Sequence, residues 1–324
     1  MATLRLRNAH QKIEEVRSRL FQQRWDTVTC DVHQRLHDLG KLIGTDAGDE
    51  LHRHVVVSAV AALQTFYRGM IVSIVDSGEE YKARAAEKIT EKFSMEAALS
   101  WLSGKTGTFG ELIAHSAPCN SVTDLLSRFE TLLACDMRQA LAEAINPYDR
   151  RNGKESPERI VPDVDRLISS LEKVFRLRHI FAHEAAPSLK VTTEECRELH
   201  GAVAQCVEAM DAVLWATVYQ HLPLTQYEMN MHTRSEVLEA RKKLAKAMRK
   251  ALSDARAAGS AAWLRRNHFA WMRATMDWAH ETYGSLQGTM WPAVGGMDLA
   301  KAITSRAEQV TGWNRSQNLE ESSE

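Results

Sequence analysis

One long apolar stripe constrains the fold of this chain more than any other feature of the sequence. Between Leu51 and Val75, apolar side chains recur at steps of three and four residues. This spacing places them on one broad face of a long, buried helix. The run Val55–Val57 has the β-branched composition of a strand, but the length of the stripe favours a helix. The stripe consists of Val56, Val57, Val60, Leu63, Phe66, Tyr67, Met70, Ile71, Ile74 and Val75.

Helical periodicity continues along most of the chain, and the sequence shows no alternating strand pattern. We therefore predict an all-α protein built as a helical bundle. Beyond the stripe, helices are predicted at about 3–22, 24–40, 79–92, 94–103, 108–116, 121–145, 162–184, 192–222, 234–258, 262–283 and 297–312.

The 324 residues are enough for two domains. A long predicted helix stops near His221, and from Arg234 the composition changes to Lys, Arg and Ala. These changes predict a helical bundle over 1–224, with 1–44 as an N-terminal helical extension. A second, smaller C-terminal helical domain is predicted over 225–313, and the polar, acidic segment 314–324 is predicted to be a disordered tail.

Charge and cysteine content exclude several classes of protein. The 41 Lys and Arg residues balance 42 Asp and Glu, so any contact with nucleic acid must use a local patch. The 5 cysteines are widely spaced without a CxxC pair, which argues against a disulfide framework or a Cys-rich zinc site.

The first residues lack an apolar signal region, and polar residues interrupt the apolar stretches, so we expect a cytoplasmic protein that does not span a membrane.

The segment from Arg178 to Glu184, which reads RHIFAHE, carries the most chemical information. It follows the apolar stripe of its helix, so we expect Arg178, His179 and His183 on the buried side, where they need a polar cleft. Histidine can accept or donate a proton near neutral pH, and arginine can bind phosphate oxygens with its planar fork. Together these side chains supply the minimum needed for RNA cleavage without a metal: a base, an acid and a cation.

Helix geometry leaves three interpretations of this segment open. On a regular helix Arg178 and His183 point roughly 140° apart, so they converge only if the helix loosens, the arginine reaches around, or a second subunit contributes. Alternatively, Arg178 forms an ion pair within the chain and His183 stabilises the helix end. A third possibility is zinc held by His179 and His183, with Glu184 as a ligand, although no third histidine is evident. We expect no metal or other cofactor.

The segment resembles the motif of the HEPN superfamily, whose ribonuclease members carry an Arg, four to six residues, and then a His. Arg178 and His183 match with four residues between them, and the resemblance covers about 45–220. It implies a homodimeric, metal-independent endoribonuclease that serves as a bacterial toxin or in phage defence, under the control of an antitoxin or regulatory protein. In these terms Arg178 binds the scissile phosphate, His183 is the general acid or base, and His179 assists. A non-catalytic scaffold that binds a protein or nucleic acid is the alternative.

A basic stretch between Arg234 and Arg266 is the only obvious footprint for a polyanion. Five of its cations occupy neighbouring rows of one predicted helix, and we expect them to bind RNA. The alternative is a solvated face that pairs with acidic residues elsewhere, including the C-terminal glutamates. The predicted RNA-binding residues are Arg241, Lys242, Lys246, Arg249 and Lys250.

The segment from about 258 to 312 resembles the small helical lysozyme-inhibitor (LprI-like) domain. The resemblance rests on Ala262-Trp263, on Tyr283-Gly284-Ser285, on Gly288-Thr289-Met290, and on the run from Ile303 to Glu308. The chain departs from that family in having no cysteine after Cys206 and in carrying Asn267 where an Arg is expected. We expect a module for recruitment or target sensing, with its tryptophans forming a core.

Overall fold

The computed structural model describes residues 28–44, 48–87, 107–184, 188–257 and 259–321, with side chains through Trp313 except that of Ala257. Within these ranges the only strand-like feature is an isolated antiparallel bridge between Ile145 and Arg159. The prediction of an all-α helical bundle is therefore confirmed. The described helices are α1 (Val28–Lys41), α2 (Asp49–Ser77), α3 (Glu79–Glu87), α4 (Phe109–Ser116), α5 (Val122–Leu133), α6 (Met137–Ala142), α7 (Pro147–Arg151), α8 (Val164–His183), α9 (Thr193–Ala216), α10 (Gln226–Ala257), α11 (Ala261–Tyr283) and α12 (Trp291–Glu321).

The chain forms two compact units, Met1–His221 and Leu222–Glu324, which we call the N-terminal and C-terminal units. Their border lies close to the change in composition on which the domain prediction rests. The predicted helices at 3–22 and 94–103 lie outside the described residues.

Helix α2 is the centre of the N-terminal unit, and α1, α4, α8 and α9 pack against it. The predicted stripe is buried except for Val57, which is half-buried, and Phe66, Tyr67 and Ile71 are fully inaccessible to solvent. Helix α4 crosses α2 very closely at Gly110, where a Cβ atom would lie 2.7 Å from the carbonyl oxygen of Val72. Glycine at this position permits the close approach of the two backbones.

By length and composition α2 could also cross a membrane, and 72% of its most apolar window is buried within the structure. Its mean hydropathy is high enough for a membrane span although polar residues interrupt the sequence. The interruptions, on which we based the expectation of no membrane span, therefore do not exclude one. Burial among neighbouring helices explains the same composition.

Two predicted helix boundaries were wrong because of local capping. The predicted helix at 121–145 is divided, since Ala134 adopts a left-handed conformation (φ 53°) and the Asp136 side chain caps α6. Helix α10 begins at Gln226 rather than near Arg234. At its start, Thr225 Oγ1 accepts a hydrogen bond from the Glu228 N–H, and the Glu228 carboxylate accepts from the Thr225 N–H.

The C-terminal unit is built on α10 and α12, which pack along each other, with α11 attached beside them. Its core consists mainly of alanine and medium-sized apolar residues, including Leu244, Met248 and Ile303. The expectation that the tryptophans form a core was wrong for Trp263 and Trp278, which remain 48% and 44% exposed. Apolar residues extend too far around α11 for two neighbouring helices to cover them.

The expected disordered tail was also wrong in part, because α12 continues through Glu321. The segment from Asn314 to Glu321 contains no proline or glycine and includes good helix formers, so nothing in it stops a helix that is already formed.

Helices α11 and α12 are joined through residues that carry the LprI-like resemblance. The Tyr283 hydroxyl donates a hydrogen bond to Asp298, and Arg306 donates one to Asn267. Asn267, where the resemblance leads us to expect an Arg, therefore accepts a hydrogen bond from the opposite helix.

Candidate functional site

Helix α8 positions the predicted catalytic residues. The Asp163 side chain caps its N-terminus by accepting a hydrogen bond from the Arg166 N–H at 2.9 Å. Leu167, Leu171 and Val174 then form a buried line along the helix. Arg178 continues this line at a spacing of four residues and is half-buried, as its position on the apolar side requires.

The two histidines lie on a different face of α8, and both are exposed. Their rings are adjacent, with centroids 4.9 Å apart and an interplanar angle of 55°. The expectation that all three residues share the buried side is therefore wrong for His179 and His183. The spacing of four residues brings the two rings together, whereas the spacing of five sends Arg178 and His183 to different faces.

The segment after α8 is attached to the start of α2, which fixes the end of the helix that carries His183. The Arg53 guanidinium lies over the Phe181 ring at 5.4 Å and donates a hydrogen bond to the Leu189 carbonyl at 2.9 Å. Buried His52 makes a hydrogen bond through Nδ1 to the Val191 carbonyl at 2.9 Å. These contacts join the C-terminal end of α8 to α2 without using either exposed histidine.

The charge of Arg178 acts on Cys119, which lies in the loop between α4 and α5. Arg68 of α2 reaches the same loop, and its Nη2 donates a hydrogen bond to Cys119 Sγ at 3.1 Å. Burial raises the pKa of the Cys119 thiol above its usual value; the charge of Arg68 opposes that rise, the Asp124 carboxylate adds to it, and the charge of Arg178 opposes it. Two guanidinium groups from different helices therefore act on one buried thiol.

A third arginine, Arg128 of α5, lies beside Tyr67 in the same region. Burial raises the pKa of Tyr67, and the charge of Arg128 opposes the rise. We call Arg68, Arg128 and Arg178 the arginine cluster. In the described part of the chain, no ion pair joins a member of this cluster to a carboxylate. Arg178 thus forms no ion pair with a described carboxylate, and the alternative of an intramolecular ion pair is wrong within the described part of the chain.

The arginine cluster was missed from the sequence, because Arg68 and Arg128 lie far from the motif along the chain. Each occupies an otherwise ordinary helical segment, and no spacing rule connects it with Arg178. Only the packing of α2, α5 and α8 around the loop at Cys119 brings the three together.

The described residues contain no group of three or more His, Cys, Asp or Glu side chains arranged to hold a metal ion. His179 and His183 provide two nitrogens, and Glu184, which follows them, is exposed. Two ligands are fewer than protein zinc sites normally use.

No family model, curated protein or solved structure matches this chain.

The basic face predicted on the second unit is present on α10, where all five of its cations are exposed. Lys242 forms an ion pair with Glu239 at 2.7 Å, while the other four make no ion pair with any described carboxylate. The C-terminal glutamate side chains offered as partners lie outside the described residues. The basic face consists of Arg241, Lys242, Lys246, Arg249 and Lys250.

Proposed function

We propose that this protein is a metal-independent endoribonuclease that acts as a homodimer. One observation supports the proposal above the others. The exposed pair of His179 and His183 lies on the same helix end as Arg178, a member of the arginine cluster, which forms no ion pair with a described carboxylate. The pair offers proton transfer, and the cluster offers charge stabilisation to a phosphate.

In the proposed reaction, a 2′-hydroxyl of RNA attacks the adjacent phosphorus atom. One imidazole removes the proton from that hydroxyl, and the other donates a proton to the 5′-oxygen as the P–O5′ bond breaks. The products are a 2′,3′-cyclic phosphate and a 5′-hydroxyl end. We assign the general acid or base role to His183, the assisting role to His179, and the binding of the scissile phosphate to Arg178.

The geometry of α8 supports a second copy of the chain in the proposed site. Arg178 and His183 leave a regular helix roughly 140° apart, which favours a site where they come from different copies. A twofold dimer places the arginine of one copy near the histidines of its partner, as a symmetric interface allows. The resemblance to the HEPN motif also favours a dimer.

The basic face of α10 adds phosphate contacts in this proposal. Exposed Lys and Arg side chains attract RNA irrespective of its sequence and release counterions when it binds. The role as a toxin or antiphage effector in the cytoplasm, with an antitoxin or regulatory partner, follows from the family resemblance.

Cleavage of total RNA in EDTA tests the proposal. The native protein is expected to cut, and Arg178→Ala and His183→Ala are each expected to lower the rate at least about a hundredfold. His221→Ala is the matched control, because His221 is exposed and lies outside the motif. Equal rates for all four proteins, or cleavage that returns only with added zinc, would contradict the mechanism.

Growth of a bacterial host tests the biological role. Expression of the native chain, but not of His183→Ala, is expected to slow growth or to protect against phage. Equal growth of both strains, with and without phage challenge, would argue against a toxin or defence role.

A non-catalytic scaffold is the second candidate function, and one observation favours it. Arg178 is half-buried and its charge acts on Cys119 of its own chain, which is compatible with a role in shaping an interface. A dimer that forms in solution but cuts no RNA would support this alternative.

A further inference from the structure

The C-terminal unit contains an open cavity of about 550 Å³ between its three helices. Its walls are largely apolar and come from Leu244 and Met248 of α10, Trp271, Met272 and Met276 of α11, and Ile303 of α12. Cavities of this size are typical of small-molecule sites. The methionines have flexible, polarizable side chains that adapt to the shape of an apolar ligand.

Cationic side chains stand at this apolar cavity. Arg241 of α10 and Arg273 of α11 both line it, and both are exposed. Within the described residues neither forms an ion pair with a carboxylate. Two guanidinium groups beside an apolar wall would match a ligand that has an anionic group at one end and a hydrocarbon body at the other.

The cavity wall also contains a polar atom without a partner. His268 lines the cavity with its ring stacked on Trp271 at a centroid distance of 5.8 Å. Its Nδ1 atom is buried and makes no hydrogen bond. Buried polar atoms normally have partners, so this one distinguishes the wall from an ordinary stretch of core.

We propose that this cavity binds an amphiphilic carboxylate, with the hydrocarbon chain along the methionine-lined wall and the carboxylate at Arg241 and Arg273. RNA fits the apolar interior poorly, because it offers neither a hydrocarbon body nor a small head group. The site is separate from the proposed catalytic residues, which belong to the N-terminal unit, and it shares Arg241 with the basic face of α10.

Calorimetric titration of the full chain with dodecanoate, below its micellar concentration, tests the proposal. The native protein is expected to bind dodecanoate with a defined stoichiometry and to bind dodecylammonium at least about tenfold more weakly. The double variant Arg241→Glu, Arg273→Glu should lose affinity for dodecanoate by about tenfold or more. Met248→Trp, which fills the cavity, should also weaken binding, and circular dichroism verifies that both variants remain helical.

Two matched controls separate this cavity from general adsorption. Lys246→Glu changes a charge on the same helix, and Phe269→Ala removes an exposed apolar ring, while neither residue lines the cavity. Both variants should bind dodecanoate like the native protein. Equal binding of dodecylammonium, or an equal loss in the Lys246→Glu variant, would overturn the proposal. A dimer that Met276→Glu dissociates, together with no binding of dodecanoate, would show that a second copy fills the groove instead.

Discussion

The two units of this chain differ in how far their large apolar side chains are buried. The largest fully buried side chains, among them Tyr67, Phe66 and Phe129, all belong to the N-terminal unit. Among the described side chains, Tyr148 is an exposed large apolar residue of that unit, and the other exposed large apolar residues belong to the C-terminal unit. In its described part the N-terminal unit therefore buries most of its large apolar side chains, whereas the C-terminal unit presents many of its own to solvent.

This difference fits the roles that we propose for the two units. A core of interlocking large side chains gives the N-terminal unit a rigid frame, which would hold the proposed catalytic groups in fixed positions. Contiguous exposed apolar surface instead marks a site of interaction. The C-terminal unit exposes Phe269, Met272 and Met276 along one side of α11, beside the cavity.

The largest effect is expected from truncating matched phenylalanines in the two units. Phe129 is 1% exposed and packs edge-on against Tyr67, with ring centroids 5.4 Å apart. Phe129→Ala should lower the free energy of unfolding of its unit by about 3–5 kcal/mol, since it leaves a cavity in the core. Phe269 is 61% exposed, so Phe269→Ala should change stability by no more than about 0.5 kcal/mol. Urea denaturation followed by circular dichroism measures both, and similar losses would remove the contrast between the units.

A smaller effect is expected at the crossing of α2 and α4. Gly110→Ala should destabilise the N-terminal unit by about 1–3 kcal/mol, because the new methyl group meets backbone that cannot move freely. Gly201, in the interior of α9, has open space around it, so Gly201→Ala should stabilise by about 0.5–1 kcal/mol. Thermal unfolding of both variants measures whether each substitution lowers or raises stability. A neutral Gly110→Ala would show that the crossing of α2 and α4 is loosely packed.

The C-terminal unit should also respond to mild acid. Burial, and then the charge of Arg306, lowers the pKa of His268 below its ordinary value. The unfolded chain then binds a proton at this position more readily, so this contribution to stability is present above about pH 6.5 and is lost as the pH falls below it. Tryptophan fluorescence during urea unfolding at pH 7.5 and pH 5 measures the loss. His268→Gln should reduce the pH dependence, and an unchanged pH dependence would contradict the assignment to this residue.

The smallest effect on stability is expected on the basic face of α10. Lys246 is exposed, so Lys246→Ala should change the free energy of unfolding by less than about 0.5 kcal/mol. In the proposed RNA complex it should weaken binding uniformly across sequences and reduce the slope of log affinity against log salt by about 1. Glu308→Ala, an exposed substitution on α12, is the control. An unchanged salt dependence would remove Lys246 from the RNA contact.

The sequence predicted the frame of the N-terminal unit because the periodicity of α2 is local and unambiguous. Helix ends were predicted less well, since the division at Ala134 and the start at Thr225 depend on backbone conformation and caps. In the C-terminal unit, the pattern identified helices but not what their aromatic faces contact. An apolar face predicts that something covers it, not which molecule does so.

Only the local part of the candidate site was predictable from the sequence. The proximity of His179 and His183 follows from their spacing along one helix. The exposure of the pair did not follow, because it depends on which side of α8 the rest of the bundle covers. Arg68 and Arg128 join Arg178 only through tertiary packing, so no pattern in the sequence indicated the cluster.

The central claim is that Arg178 of one copy acts with His183 of another, and mixing two inactive variants tests it most directly. Arg178→Ala and His183→Ala are purified separately, mixed, dissociated and reassociated, and assayed for RNA cleavage in EDTA. The mixture should recover about a quarter of the native rate, because about half of the dimers carry both variants and each of these has one complete site. A mixture no more active than either variant alone, with the native protein active beside it, would contradict a site shared between two copies.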